Sequence, residues 1–184
     1  DVVATFRQRP EEYTDPLRRT RVAGLVSLCR PVVGCAFGDE AFVEMIGSNG
    51  PWDMLCHHAA DVTNYKSPDF DVGAALANNT RSLPVVLDRL TAAGCHRVLL
   101  TGSFFEQNEG CGSEGLSAFS PYGLSKGLPA QVFRYWCGLR GLRLGKFVIP
   151  NPFGPFEEPR FIAYLVRHWM QGKTPLVNTP AYVR

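Results

Sequence analysis

Three side chains have the types and spacing needed for proton transfer at an alcohol. Tyr122 precedes Lys126 by four residues in SPYGLSKG, and Ser103 ends the apolar stretch RVLLTGS. Residues i and i+4 of a helix lie on one face, so the phenol and the ammonium group should share one environment. A nearby cation favours the phenolate, so we expect Lys126 to lower the pKa of Tyr122 toward neutral pH. Tyr122 is therefore a candidate base, with Ser103 holding the substrate oxygen by a hydrogen bond.

These groups suit one reaction type, in which a proton moves on or off a carbinol oxygen while hydride leaves or reaches the carbon. Lys126 could also bind the ribose hydroxyls of a nicotinamide cofactor. The alternative is a chance YxxxK pattern on a solvated helix, and the bare motif is modest evidence. Its context favours a site, because a strand end, a loop and a helix start can converge at one crevice of a parallel sheet.

Apolar stretches of strand length alternate with segments of helical period along the chain. This alternation predicts an α/β protein with a doubly wound, largely parallel sheet of the Rossmann type. The predicted strands cover residues 2–6, 31–36, 53–57, 97–101 and 144–149. The predicted helices cover residues 40–46, 74–93, 122–139 and 159–171.

Composition and charge argue against several classes of protein. The 184 residues, 45% of them hydrophobic, are enough for one ordinary core. The net charge is +2 and the arginines are scattered singly, so nucleic acid is not an expected partner. The sequence has no apolar run long enough for a membrane span and no signal-peptide pattern, so we predict a cytoplasmic protein without a membrane partner.

Cysteine and histidine spacing does not indicate a metal site. The six cysteines form no CxxC pair, and several lie within apolar stretches. His57 and His58 are adjacent, so on a strand they would point to opposite faces. We therefore predict free thiols and no bound metal.

Five stretches of the chain resemble the extended short-chain dehydrogenase/reductases, which include nucleotide-sugar epimerases, dehydratases and 4-keto reductases. The stretches are WDMLCHHAADVTNY, ALANNTRSLPVVLDRL, HRVLLTGSFFE, SPYGLSKG and KFVIPNPFGPFE, and they follow the family's order. The resemblance implies a dinucleotide-binding domain over residues 1–156 and the start of a smaller substrate-binding region over residues 157–184. It also implies a nucleotide-sugar substrate, NAD or NADP as cofactor, and a homodimer that pairs the helices predicted over 74–93 and 122–139.

By position, the resemblance makes Ser103, Tyr122 and Lys126 the catalytic residues. It also implies further contacts with the cofactor and the substrate. The implied cofactor residues are Ala59, Ala60, Asn79, Pro150 and Pro152, together with Lys126. The candidate substrate residues are Phe104, Phe105 and Asn151.

One departure from the family pattern lies directly after Ser103. Dehydratases of this group have an acidic pair there, whereas this chain has Phe104 and Phe105, with Glu106 one step late. A phenyl ring can shape a pocket but cannot carry a proton. We therefore expect no 4,6-dehydratase activity.

A second departure is the Gly-rich phosphate loop, which does not precede the strand predicted over residues 2–6. We interpret that strand as the second of the sheet and expect the first strand upstream of Asp1. In the order 3-2-1-4-5-6 that strand would lie between the strands over 2–6 and 53–57. These two strands should then flank a gap instead of pairing directly.

Arginines follow the first predicted strand. Arg7 and Arg9 occur there, and no acid comes before Glu11. An arginine suits the 2′-phosphate of NADP, whereas NAD sites usually have a carboxylate, so this pattern slightly favours NADP.

The leading functional hypothesis is a nucleotide-sugar 4-epimerase with a retained cofactor or a keto reductase with an exchanging one, acting through Ser103, Tyr122 and Lys126. The first alternative is a non-catalytic protein of the same fold that binds a dinucleotide or serves as a scaffold. The second is a structural fragment without activity of its own.

Overall fold

The computed structural model describes residues 1–110, 115–150, 152–158 and 160–177. Its strands are β1 (Val3–Phe6), β2 (Arg30–Val33), β3 (Leu55–His57), β4 (Arg97–Ser103) and β5 (Arg143–Ile149). Its helices are α1 (Pro16–Val26), α2 (Glu40–Asn49), α3 (Val72–Asn79), α4 (Leu83–Ala92), α5 (Pro121–Leu139) and α6 (Phe161–Met170). A short 3-10 helix covers Pro10–Glu12.

The strands form two sheets in which every neighbouring pair is parallel. β1 pairs with β2, and the second sheet has the order β3-β4-β5. This pairing confirms the predicted α/β class and matches the 3-2 and 4-5-6 parts of the Rossmann order. Within the described ranges β1 and β3 are not paired with each other, which agrees with the predicted gap.

The core lies where helices α2, α4 and α5 pack against the three-stranded sheet. Val98 and Leu100 of β4 are buried, as the two-residue period of a strand requires. They belong to the same buried cluster as Phe42 of α2, Leu87 of α4 and Phe133 of α5. Full burial of each such side chain contributes about 1.5–3 kcal/mol, so this cluster contributes strongly to the stability of the sheet and the helices on it.

The helix predicted over residues 74–93 is two helices, so that prediction was wrong. α3 ends at Asn79 and α4 begins at Leu83, with Ser82 in the left-handed region at φ 50°. Pro84 lies in the first turn of α4. A proline lacks the N–H group and clashes with the carbonyl four residues earlier, so Pro84 disfavours one continuous helix here.

The sequence analysis did not predict α1. Its apolar residues follow only a weak helical period, and none of its residues is buried. Its start nevertheless has a clear signal, because the Asp15 carboxylate accepts a hydrogen bond from Arg18 N at 2.8 Å and Pro16 is the first helical residue.

The strand predicted over residues 31–36 is also shorter than expected. It covers Arg30–Val33 and is followed by Gly34 at φ 70°, a left-handed conformation that takes the chain out of the extended region. The other predicted elements are present, with ends that differ by a few residues.

Three further predictions concern membrane, thiol and metal sites. No helix in the described ranges is long and apolar enough to cross a membrane. Five cysteines there have free thiols, and Cys111 lies outside these ranges. The same ranges contain no group of three or more metal-ligating side chains that could hold an ion.

Candidate functional site

The helix that carries Tyr122 and Lys126 begins at a capped terminus. The Ser120 hydroxyl accepts a hydrogen bond from Gly123 N at 3.1 Å, and Pro121 is the first helical residue. Both features are common helix-start signals, so the sequence SPYG defines this end of α5. Tyr122 and Lys126 consequently lie about one turn apart on one face of the helix.

Ser103 is the last residue of β4, where it pairs in register with Ile149 of β5. A tight turn follows, in which Glu106 N donates to the Ser103 carbonyl at 3.0 Å. The Ser103 hydroxyl accepts a hydrogen bond from Phe105 N at 3.3 Å. Ser103 therefore lies at the carboxyl end of the parallel strands, the edge at which such sheets bind ligands.

The turn after β4 packs directly on the first turn of α5. Phe119 N donates to the Phe105 carbonyl at 2.9 Å, and the two rings stack with centroids 5.0 Å apart. A Cβ on Gly123 would lie 2.2 Å from the Phe105 carbonyl oxygen, so only glycine permits this approach. These contacts fix the end of β4, and with it Ser103, relative to Tyr122.

Glu106 is buried beneath this turn, with 1% of its surface exposed. One carboxylate oxygen accepts a hydrogen bond from Ser103 N at 2.7 Å, and the other accepts one from Lys146 Nζ at 3.0 Å. The charge of Glu106 raises the pKa of Tyr122 further, and at Lys126 it offsets part of the lowering that burial causes. One carboxylate is therefore bonded to Ser103 and acts electrostatically on the other two predicted catalytic residues.

From the sequence, Glu106 was noted only as an acid that comes one residue after the position of the acidic pair in dehydratases. Its burial could not be read from the sequence, but a lone acid within the apolar turn SFFE is a usable signal. A buried carboxylate requires a partner.

Tyr122 has a less polar environment than the sequence predicted. Its ring lies edge-on to that of Tyr65, with centroids 5.3 Å apart. Burial raises the pKa of Tyr122 above its ordinary value, Tyr65 and Glu106 raise it further, and Arg160 lowers it. The expected lowering by Lys126 was therefore wrong, because the cost of burying a phenolate dominates.

Lys126 borders a small cavity next to β3 and β4. Its chemically relevant lining residues are His57, Ala59, Asn79, Lys126 and Lys146. Burial lowers the pKa of Lys126, and Glu106 partly offsets this shift. The structure thus brings together three of the predicted cofactor residues, whereas Ser103 and Tyr122 are not part of this lining within the described ranges.

Asn79 is buried at the end of α3. Its side-chain oxygen accepts a hydrogen bond from Asp61 N at 3.1 Å. This bond ties the loop after β3, which contains Ala59 and Ala60, to the helix. Asn79 therefore holds the loop that borders the cavity.

His57 is a residue of this cavity that the sequence analysis considered only as a metal ligand. Its ring lies between those of Phe37 and Phe133, with centroids 4.3 Å and 5.0 Å away. Burial, and then the charge of Lys126, lowers the pKa of His57 to about 4. Its Nε2 atom has no hydrogen-bond partner among the described residues. His57 is consequently neutral near pH 7 and does not repel Lys126.

The other predicted cofactor residues lie at the edges of the sheets. Arg7 follows β1 directly and is exposed. Ala60 is half-buried after β3, and Pro150 and Pro152 are exposed after β5. Asn151 lies outside the described residues.

The predicted substrate residues Phe104 and Phe105 contact each other, with ring centroids 4.2 Å apart. An open groove beside them and α5 is lined by apolar residues that include Phe70, Phe119 and Leu124. Phe70 also contacts the Tyr122 ring edge-on at 6.1 Å. The surface next to Tyr122 is therefore largely aromatic.

The sequence matches the model of one protein family over residues 2–181, almost its whole length; that model describes the NAD-dependent epimerase/dehydratase family. The chain belongs to this family. The match confirms the resemblance to the extended short-chain dehydrogenase/reductases. No curated protein sequence matches the chain.

Solved structures of nucleotide-sugar enzymes share the fold of this family member. A UDP-glucuronic acid 4-epimerase from Bacillus cereus in complex with NAD has a TM-score of 0.65 and 13% identity, over 96% of this chain and 57% of the epimerase. A UDP-glucose 4-epimerase from Thermotoga maritima with UDP-glucose has a TM-score of 0.62 and 15% identity, over 94% and 56%. A dTDP-glucose 4,6-dehydratase from Streptomyces venezuelae with NAD bound has a TM-score of 0.59 and 20% identity, over 85% and 50%.

The chain therefore spans between 50% and 57% of the length of these enzymes. At such identities the likeness shows the fold alone. The catalytic roles must be argued from the residues of this chain.

Proposed function

We propose that this chain belongs to an enzyme that uses NAD or NADP to oxidise or reduce a sugar carbon of a nucleotide sugar, as a 4-epimerase or a keto reductase. The observation that best supports this function is the docking of the Ser103 turn on the start of α5 through Phe105 and Gly123. It joins a hydroxyl-bearing strand end to the helix that carries Tyr122 and Lys126.

The roles of the three side chains follow from their chemistry. A bound nicotinamide cofactor would supply or accept the hydride. The Ser103 hydroxyl would donate a hydrogen bond to the substrate oxygen, and the Tyr122 phenol would exchange a proton with that oxygen. The Lys126 ammonium would bind the ribose hydroxyls of the cofactor.

The residues that line the cavity beside Lys126 have chemistry suited to one part of such a cofactor. A cation and a small side chain, Lys126 and Ala59, lie on its wall. The cation can donate to ribose hydroxyls, and the small side chain permits close approach of the dinucleotide to the backbone. Asn79, through its bond to Asp61 N, would keep this loop in place.

The choice between NAD and NADP depends on the end of β1. Two of the solved relatives described above contain NAD. In this chain the exposed Arg7 directly follows β1, where a guanidinium can bind the 2′-phosphate of NADP. We therefore propose that NADP is accepted and slightly favoured.

Residues 157–184 are proposed to begin the substrate-binding region. Arg160 precedes α6 and acts on the pKa of Tyr122, so the start of this segment lies near the proposed site. α6 also exposes Phe161 and Trp169, which could contact a substrate or a further part of the protein. A cytoplasmic location stays a prediction of the sequence.

A homodimer through α4 and α5 is proposed because these helices expose large apolar side chains. Val85 of α4 and Tyr135 and Leu139 of α5 are each about half exposed or more. Two such helices from each subunit could bury these side chains against each other.

The test is an assay of the purified full-length protein with UDP- and dTDP-hexoses. Conversion to the 4-epimer with a retained NAD and no net redox change would identify an epimerase, and steady NADPH consumption would identify a keto reductase. A 4-keto-6-deoxy product would contradict the expectation drawn from Phe104 and Phe105. Dinucleotide binding without turnover would support the non-catalytic alternative.

A further inference from the structure

We propose that Glu106 is a positioning residue of this site: its buried carboxylate, paired with Lys146, fixes the turn that carries Ser103 and sets the charge around Tyr122 and Lys126. The proposal rests on the function proposed above. It assigns a role to an acid that lies outside the predicted catalytic residues.

The burial of Glu106 needs an explanation other than stability. The carboxylate is almost fully buried, whereas the Lys146 side chain is 30% exposed. Desolvation cancels much of the attraction within such a pair, and apolar replacements of buried ion pairs are often neutral or stabilising. Stability therefore does not explain why Glu106 is buried with Lys146. The contacts of Glu106 indicate another role.

The contacts of Glu106 join the two elements that carry the proposed catalytic residues. On the β4 side, its carboxylate accepts the Ser103 N–H bond, and a Cβ on Gly102 would lie 2.8 Å from the same oxygen. On the α5 side, a Cβ on Gly127 would lie 3.6 Å from the Glu106 Cβ. The carboxylate is thus seated between the last residues of β4 and the second turn of α5. If its bonds were lost, the Ser103 turn could shift relative to the helix.

The charge of Glu106 acts in a definite direction. A carboxylate disfavours a nearby phenolate and favours a nearby ammonium group, so it raises the pKa of Tyr122 further and offsets part of the lowering at Lys126. Since burial lowers the pKa of Lys126, the carboxylate helps this lysine to remain a cation for the cofactor. The same carboxylate makes the Tyr122 phenolate a stronger base.

Other charged or titratable groups also surround these residues. Besides Glu106, the groups that act electrostatically on Tyr122 are Tyr65 from the loop after β3 and Arg160 before α6. Lys146 of β5 contacts Glu106 and also Glu109, whereas Tyr122 and Lys126 of α5 feel the charge of Glu106. The charge of Lys126 in turn lowers the pKa of His57 and His58.

The test compares Glu106→Gln with Glu109→Gln in the full-length protein. Both acids contact Lys146 Nζ, but Glu106 alone of the two accepts the Ser103 N–H bond in the described contacts. For Glu106→Gln we expect kcat to fall roughly 10- to 100-fold, as displacement of a catalytic group can cause. We also expect the acid limb of the kcat–pH profile to move to lower pH, because a negative charge near the phenolate is removed. Glu109→Gln should retain the wild-type kcat and profile.

A second readout does not require turnover. The ionisation of Tyr122 is followed by tyrosinate absorbance, as the difference between each protein and its Tyr122→Phe partner. Glu106→Gln should lower this pKa, and an unchanged or higher pKa would overturn the proposal. If Glu106→Gln does not fold, Glu106→Gln/Lys146→Gln removes both charges together. Its kcat should fall by the same factor, because the Ser103 N–H still loses its carboxylate partner, and an unchanged kcat would overturn the proposal.

The proposed function and the proposed role of Glu106 can be contradicted independently of each other. A wild-type protein that converts no nucleotide sugar would contradict the proposed function, and the tyrosinate titration would still test the effect of Glu106. An active wild-type protein with the same kcat and pH profile as Glu106→Gln would contradict the role of Glu106 and leave the proposed function standing.

Discussion

The carbonyl oxygen of Phe105 lies 2.2 Å from the position that a Cβ on Gly123 would occupy. Real Cβ atoms do not approach an oxygen this closely, so the contact between the β4 turn and α5 depends on glycine. Ser103 lies two residues before Phe105, and Tyr122 immediately precedes Gly123. A change at Gly123 is therefore transmitted to the spacing of the proposed site.

We predict that Gly123→Ala destabilises the protein and reduces turnover. Overpacking against the backbone typically costs about 1–3 kcal/mol, which thermal or denaturant unfolding would measure. The matched control is Gly138→Ala in the same helix, where a Cβ would meet nothing within 4 Å. This control should be neutral or stabilising by up to about 1 kcal/mol. Equal effects of the two substitutions would contradict the close contact.

Tyr122→Phe should abolish most turnover without disturbing the fold. The phenyl ring can keep its contacts with Tyr65 and Phe70, whereas the proton-transferring oxygen is lost. The expected fall in kcat is about 10²- to 10⁴-fold. Dinucleotide binding, measured by calorimetry, and the melting temperature should stay close to wild type. A variant that retains more than about a tenth of the rate would show that another group is the base.

His57 predicts an acid-dependent loss of stability. Its pKa is lowered from 6.5 to about 4 by burial, so between these values the unfolded chain binds a proton more readily than the folded protein. The stability that depends on neutral His57 is present above pH 6.5 and is lost as pH falls through about 4. The loss amounts to at most about 3 kcal/mol.

Urea unfolding at several pH values would measure this loss. His57→Phe should flatten the dependence between the two pKa values, whereas His96→Phe, at an exposed position, should retain it. If the free energy of unfolding of the His57→Phe protein falls with pH as steeply as that of the wild type, other groups cause the acid sensitivity.

Arg7→Ala is expected to impair use of NADPH more than use of NADH. A hydrogen bond to a charged phosphate contributes about 1.5–3 kcal/mol, so KM for NADPH should rise about tenfold or more. KM for NADH should change little, since NADH has no 2′-phosphate. Arg18→Ala, at an exposed position of α1, is the control for lost surface charge. An equal change for both cofactors would place the 2′-phosphate contact elsewhere.

The proposed dimer can be tested through α5. Tyr135 and Leu139 are 61% and 63% exposed, so Tyr135→Glu/Leu139→Glu should leave the subunit folded and shift sedimentation from dimer to monomer. The control is Leu28→Glu, in the connection between α1 and β2, where the side chain is 79% exposed. Dimers that persist with both glutamates in α5 would exclude this interface.

The sequence by itself determined the class of fold and the local placement of Ser103, Tyr122 and Lys126. Strand alternation, the Ser120 cap and Pro121 act over a few residues, so the ends of β4 and α5 could be predicted closely. The break between α3 and α4 also has a local signal in Pro84, but the apolar period across it masked that signal. A proline alone does not decide such a break, since α5 continues past Pro129.

Only the tertiary structure decided the pKa shifts and the charge partners of these side chains. The pKa of Tyr122 is raised because its ring is buried and because Tyr65 and Glu106, which come from other segments, lie near it. Glu106 and Lys146 are 40 residues apart in the chain and meet across the turn after β4. Local sequence patterns fix backbone conformation, whereas desolvation and charge pairing depend on residues that only the packed fold brings together.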